Sequence, residues 1–172
     1  MTTFPLRSLR LRPGEEHRDT VSIEIEPFVL GGLNYLPVPP SVEAALVIQR
    51  ATTGDLLRLA LTSSFHGSCM RCLEDAACEV SVDAAEYHDA TLGADEDLGC
   101  EYVVEDRLEL SLWARDAIAE ALPDQILCRS ACAGLCAVCG KNLNDEPHVH
   151  EEAPVDTRWA VLGALRDELD VD

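Results

Sequence analysis

Residues 128–150 read CRSACAGLCAVCGKNLNDEPHVH, and their reading decides what kind of chain this is. The stretch contains Cys128, Cys132, Cys136 and Cys139, half of the 8 cysteines, together with His148 and His150. Leu143 is nearly the only bulky apolar residue beyond Cys139. A segment so poor in apolar side chains cannot fold by burying a core. Thiolates and imidazoles that converge on a metal ion supply folding energy in its place. Cys136-x2-Cys139, then Gly140, then His148-x-His150 is a zinc-knuckle spacing. Structural zinc is the first expectation.

A second Cys-x2-Cys, Cys69 and Cys72, stands upstream between two predicted strands, where a turn can point both sulfurs to one side. Cys78 and Cys100 lie apart from any second ligand and read as structural or incidental thiols. Eight candidate ligands remain: Cys69, Cys72, Cys128, Cys132, Cys136, Cys139, His148 and His150. A closed zinc site takes four. The eight divide into an all-thiolate site (Cys69, Cys72, Cys128, Cys132) and a mixed site (Cys136, Cys139, His148, His150). Alternatively a single site is built around Cys136 and Cys139, with one of the two histidines left out because Val149 must turn sharply for both to ligate. One or two zinc ions are therefore expected.

Rival chemistries fit less well. A redox dithiol wants Cys-x2-Cys at a helix N-terminus, and neither pair is predicted to have one. A catalytic zinc needs an open coordination position and a nearby acid or base. Asp145, Glu151 and Glu152 are at hand, but acids in loops are common. A nucleophilic cysteine served by His66 or His88 is weaker still, since a single histidine on a strand is more often packing or surface.

The remaining chain supplies the scaffold. Val21, Ile23 and Ile25 alternate with Ser22, Glu24 and Glu26, the period of a half-buried strand over 20–30. Pro27, Gly31-Gly32 and the prolines at 37, 39 and 40 interrupt it. Strands are predicted over 42–50 and 56–65, joined by a turn at 52–55, and over 77–88, with Val80, Val82 and Ala84 on one side. Residues 74–109 hold a heavy excess of acids, with an exposed loop expected at 89–99 (DATLGADEDLG). Leu110, Trp113, Ala114, Ala117, Ile118 and Ala121 recur at helical spacing over 108–122, and Pro123 stops the run. Asp156 is placed to cap a closing helix at 157–169 with Trp159, Leu162, Leu165 and Leu169 on one face. The expected fold is α+β, an antiparallel β-rich meander or small barrel with two helices and a C-terminal zinc-knuckle module. A core domain is expected over 1–127, and the module with its closing helix over 128–172.

At 172 residues and 47% apolar content the chain is long enough for a real core. Its formal net charge of -19 disfavours direct binding to a phosphate backbone, RNA or DNA, and favours a basic protein partner. Arg7, Arg10, Arg12 and Arg18 form the one basic island, read as a strand or arm with a solvated face. The N-terminus lacks a signal peptide's apolar run and no segment is long enough to span a bilayer, so a cytoplasmic, reducing setting is expected.

Two segments together resemble the YceD family, the large ribosomal RNA subunit accumulation proteins. One is Cys69-Met70-Arg71-Cys72-Leu73-Glu74, similar to the family's C-x-R-C-L-E. The other is Cys128-x3-Cys132-x-Gly134-Leu135-Cys136-x2-Cys139-Gly140-x-Asn142-Leu143-Asn144, similar to the family's C-x3-C-x-G-L-C-P-x-C-G-x-N-L-N. The chain departs from that pattern at Ala137, where proline is usual, and at His148-Val149-His150, where C-x-C is common. Both cysteine and neutral histidine ligate zinc, so the second departure keeps the metal chemistry. The resemblance implies a non-enzymatic role in synthesis, processing or stability of large-subunit (23S) ribosomal RNA, and so a ribosomal protein or rRNA-processing factor as the basic partner. A zinc-dependent or thiol-based enzyme is the alternative.

Overall fold

The computed structural model describes residues 2–89 and 99–150. It divides into two compact units, Met1–Gly134 and Leu135–Asp172. The first contains β1 (Thr3–Pro5), β2 (Glu16–Glu24), β3 (Phe28–Leu30), β4 (Leu33–Pro37), β5 (Ser41–Arg50), β6 (Gly54–Ser68), β7 (Asp75–Asp89), β8 (Val103–Val104), β9 (Arg107–Glu109) and the helix α1 (Leu110–Ala121).

The main sheet is an antiparallel meander. β2 and β5 pair from Glu16↔Gln49 to Glu24↔Ser41, and β3 and β4 extend the same ribbon from Phe28↔Tyr35 to Leu30↔Leu33. Gly31 and Gly32 close its tip at φ 57 and 81, the pair of left-handed residues that a tight hairpin turn requires. Between the two halves, Ile25–Pro27 and Val38–Pro40 break the ladder because proline has no N–H to give. There the Ile25 N–H donates to the Pro40 carbonyl at 2.9 Å. β6 runs through the middle, with β5 and then β4 along one edge and β7 along the other from Gly54↔Asp89 to Ser68↔Asp75.

Among the described residues β7 pairs with β6 and β2 with β5, so the sheet is open. The meander holds and the small barrel does not. Closure would have required β2 to meet β7, but the free edge of β2 bears exposed Glu16, Arg18, Asp19 and Glu24, side chains suited to a solvated edge.

Alternation gives the sheet one buried face: Val42, Ala44, Leu46 and Ile48 on β5, Leu57, Leu59, Leu61 and Phe65 on β6, Val80 and Val82 on β7. α1 adds Leu110, Trp113, Ala114 and Ile118 to the same core. A small second sheet, β1-β9-β8, ties residues 3–5 to 107–109, and Tyr102 stacks on Trp113 with centroids 6.0 Å apart. Leu6 is buried beside it, while the exposed Arg7 pairs with Asp106 and Arg18 with Glu16, so the basic island presents a solvated face.

Residues 108 and 109 of the expected first helix belong to β9 (Arg107–Glu109) instead, because their backbone pairs with β1 and β8. Among the described residues α1 is the one α-helix, not two; the closing helix expected at 157–169 lies outside them, as does most of the acidic loop. None of the described helices is long and apolar enough to cross a membrane.

Candidate metal centres

The turn from β6 to β7 is a knuckle built on Cys69. The Cys69 N–H donates to the Glu74 carbonyl at 2.7 Å, the Leu73 N–H donates back to the Cys69 carbonyl at 3.0 Å, and the Arg71 N–H points at the Cys69 Sγ at 3.5 Å. Leu73 takes a left-handed φ of 63 to make this possible. The chain returns to the knuckle after α1. Ile126 is fully buried and accepts the Met70 N–H at 3.0 Å, while Arg71 donates to the Gln125 side chain and to the Cys132 carbonyl, each at 3.2 Å. Gly134, at φ 80, passes so close to Arg71 that a Cβ there would lie 3.2 Å from its carbonyl oxygen.

These contacts bring Cys128 and Cys132 onto Cys69 and Cys72, with all four sulfurs within 4.8 Å of one another. Cys69 and Cys132 are 3.7 Å apart, Cys72 and Cys128 3.5 Å. Both are too long for a disulfide, near 2.05 Å. They match the edge of a thiolate tetrahedron, about 3.8 Å when the metal–sulfur bond is about 2.3 Å. The quartet could hold a metal ion.

The second unit repeats the knuckle bond for bond. The Cys136 N–H donates to the Lys141 carbonyl at 2.8 Å, the Gly140 N–H to the Cys136 carbonyl at 2.8 Å, and the Val138 N–H to the Cys136 Sγ at 3.4 Å. Gly140 occupies the left-handed position, φ 72, that Leu73 occupies in the first. Asn142 then organises the return. Its side-chain oxygen accepts from the Asn144 N–H at 3.0 Å, and its carbonyl from Glu146 at 3.0 Å. The Glu146 carbonyl meets His148 Nδ1 at 2.7 Å. A proton held there leaves the His148 Nε2 lone pair free, and Nε2 lies 3.1 Å from the Cys139 Sγ. His150 follows with its ring edge-on to His148, centroids 4.9 Å apart. Cys136, Cys139, His148 and His150 thus form a second quartet within 4.8 Å, also able to hold a metal ion.

The electrostatics of both quartets favour a cation. Burial opposes ionisation of Cys69, but the backbone donors of Cys72, Arg71 and Cys128 outweigh it and bring its pKa down to about 6. At Cys72 the Glu74 backbone donor favours the thiolate, yet burial and the neighbouring sulfurs prevail and push it up to about 12. Cys128 is likewise raised, by burial first and then by Cys132 and Cys69. One thiolate therefore forms readily and the next is opposed by its charge, which a divalent cation removes. In the second quartet the backbone donors of Cys139 and Val138 bring Cys136 to about 6, and His148 is raised by the Glu146 carbonyl and then by Cys136.

All eight candidate ligands are thus assembled, and they fall into the two-site division. Cys78 and Cys100 join neither: Cys78 sits half-buried opposite Phe65, and Cys100 is buried next to Tyr102. His66, exposed on β6, lies on the face opposite to buried Phe65, away from Cys78. His88 pairs across the sheet with Asp55, not with a thiol. What the sequence did not reveal is the role of Leu73. The one available signal was the correspondence of Cys69-x2-Cys72-Leu73 with Cys136-x2-Cys139-Gly140, which places leucine where the twin turn uses glycine.

Compared with known proteins, residues 57–166 match the family model of the large ribosomal RNA subunit accumulation protein YceD, a span that includes all eight candidate ligands. Uncharacterized proteins of Mycobacterium tuberculosis and Mycobacterium bovis are 34% identical over 122 residues, covering 68% of this chain and 58% of theirs. One from Mycobacterium leprae is 34% identical over 107 residues, covering 59% of this chain and 48% of its own. The chain therefore spans about half the length of these relatives. No solved structure matches it.

Proposed function

Because the chain belongs to the YceD family of large ribosomal RNA subunit accumulation proteins, we propose that it is a non-enzymatic, cytoplasmic factor supporting the synthesis, processing or stability of large-subunit ribosomal RNA. The observation that supports this reading is the family match over 57–166, which takes in both cysteine motifs at once. Both quartets bind zinc. Four thiolates, or two thiolates with two imidazoles, at tetrahedral spacing are the donor sets zinc takes in closed structural sites. In the first, zinc joins the β6–β7 turn to the segment after α1; in the second, it orders the knuckle.

The partner is a basic ribosomal protein or rRNA-processing factor. A net charge of -19 repels bare RNA and attracts a cationic protein surface. Depleting the protein lowers the ratio of mature large-subunit to small-subunit ribosomal RNA, and the tagged protein sediments with precursor large-subunit particles. An unchanged ratio with no such association would overturn the assignment, and tight binding to isolated large-subunit RNA at moderate salt would overturn the choice of partner.

The Cys139–His148 contact of 3.1 Å is what a thiol-based enzyme would also show. Metal analysis with thiol titration separates the two readings. Bound zinc and few reactive thiols support the structural role; metal-free protein with one hyper-reactive thiol supports catalysis.

A further inference from the structure

The two quartets share one turn but not one environment. Each Cys-x2-Cys knuckle has the same three backbone hydrogen bonds and the same left-handed residue, so turn geometry does not distinguish them. Their surroundings do. Cys69, Cys72 and Cys132 are buried at 0%, 4% and 2% exposure, leaving only Cys128 toward the surface. In the second quartet Cys139 and His150 are exposed, and His148 is half-buried.

What holds each quartet in place also differs. The first is set into a unit with a continuous apolar core and draws its ligands from positions more than fifty residues apart in sequence. The second takes all its ligands from 136–150. Within 135–150 Cys136, at 9% exposure, is the one buried residue, and Leu135, Val138 and Val149 are 37%, 74% and 96% exposed. Without a core, the second knuckle owes its order to its metal.

We propose that the Cys136/Cys139/His148/His150 quartet is an exchangeable zinc site, equilibrating with zinc in solution, while the four-cysteine quartet keeps its ion. Residues 135–150 are then a zinc-responsive element that forms and dissolves with zinc supply while the sheet keeps its structure. The inference rests on the zinc reading above. Exchange proceeds by ligand substitution. An incoming donor binds the ion from the exposed side, the Cys139 thiolate or the His150 imidazole departs first, and each released thiolate takes a proton from water. No electrons move. The four-cysteine site offers an incoming donor no comparable opening, because its core must open before three of its sulfurs are reached.

The experiment loads the full chain with zinc and challenges it with excess EDTA, following free zinc with a metallochromic dye and amide exchange by mass spectrometry. Two equivalents are expected to leave in two phases, the faster by at least roughly tenfold. Over the fast phase the Cys136 and Gly140 amides should lose protection while the β6 and β7 amides keep theirs. Cys139→Ser should abolish the fast phase and leave the slow one, a readout independent of whether the second unit still folds. Release of both equivalents in one phase, or a fast phase abolished by Cys69→Ser instead, would overturn the inference while leaving zinc binding intact. A chain that binds no zinc would overturn both.

Discussion

Gly140→Ala tests the knuckle at an exposed position. Gly140 sits at φ 72, and a Cβ built there meets nothing within 4 Å. The substitution therefore adds no clash, and its whole cost is conformational. Holding an L-residue in the left-handed region costs about 1–2 kcal/mol. Restricting the unfolded chain returns about 0.4–1 kcal/mol of that. The net loss is about 1 kcal/mol; on the proposed zinc reading, in which a knuckle whose described residues bury only Cys136 folds as it binds its ion, this comes off the zinc affinity as about a fivefold weakening. Competition against a chromophoric chelator reads this on the weaker of two equivalents. The mirror substitution, Leu73→Gly, relieves the same strain at φ 63 in the first knuckle. Leu73 is 57% exposed and loses little packing, so the first unit should gain up to about 1 kcal/mol in urea. Unchanged zinc affinity in Gly140→Ala, or the same sign for both variants, would refute the equivalence of the two turns.

Other substitutions probe the scaffold. Ile118→Ala removes a fully buried side chain of α1 from the shared core and should cost about 2–5 kcal/mol in urea unfolding, with no loss of bound metal under native conditions. Gly67→Ala would put a Cβ 2.5 Å from the Asn34 carbonyl oxygen and the Tyr35 ring, forcing β4 off β6; a loss of about 1–3 kcal/mol is expected, and a neutral effect would contradict that close approach. Asp55, 4% exposed with the Arg50 Nε 3.0 Å away, has its pKa raised by burial against the pull of Arg50 and His88. Its folded pKa lies above its unfolded one, so its contribution is present below the ordinary carboxylate range and is lost as pH rises through the folded value. Urea midpoints measured across that range should fall less steeply in Asp55→Asn than in the parent, and an equal slope would show that Arg50 fully compensates the buried charge.

The long strands were legible because their faces alternate. Val42, Ala44, Leu46 and Ile48 announce both the strand and its buried side, and the structure keeps every one of them inside. The short elements were not. β1, β8 and β9 are two or three residues long, too short to display a period, and they exist because residues 3–5 meet 107–109 across the chain. Openness was equally out of reach, since closing a sheet is a matter of which edges meet, and strands on either side of that choice look alike in sequence. The candidate ligands stood out from their spacing, and their grouping into two quartets follows from chain geometry: Cys69 and Cys72 lie at the end of the β6–β7 hairpin, where the chain leaving α1 arrives. The left-handed leucine was hidden because no local pattern marks a residue as strained.

The first quartet also has a mechanical meaning. Its two ligand pairs bracket residues 73–127, which include β7, β8, β9 and α1. With a metal in place, tension applied at the two chain ends passes from Cys69 to Cys132 through metal–sulfur bonds and bypasses everything between them. An unfolding motor pulling on the N-terminus would strip β1 to β6 first, one pulling on the C-terminus the second unit, and either would then stall against a bracketed remnant until the metal let go. Removing the ion would convert that stall into a single longer extension, so the contour length released per event reports whether the bracket is closed.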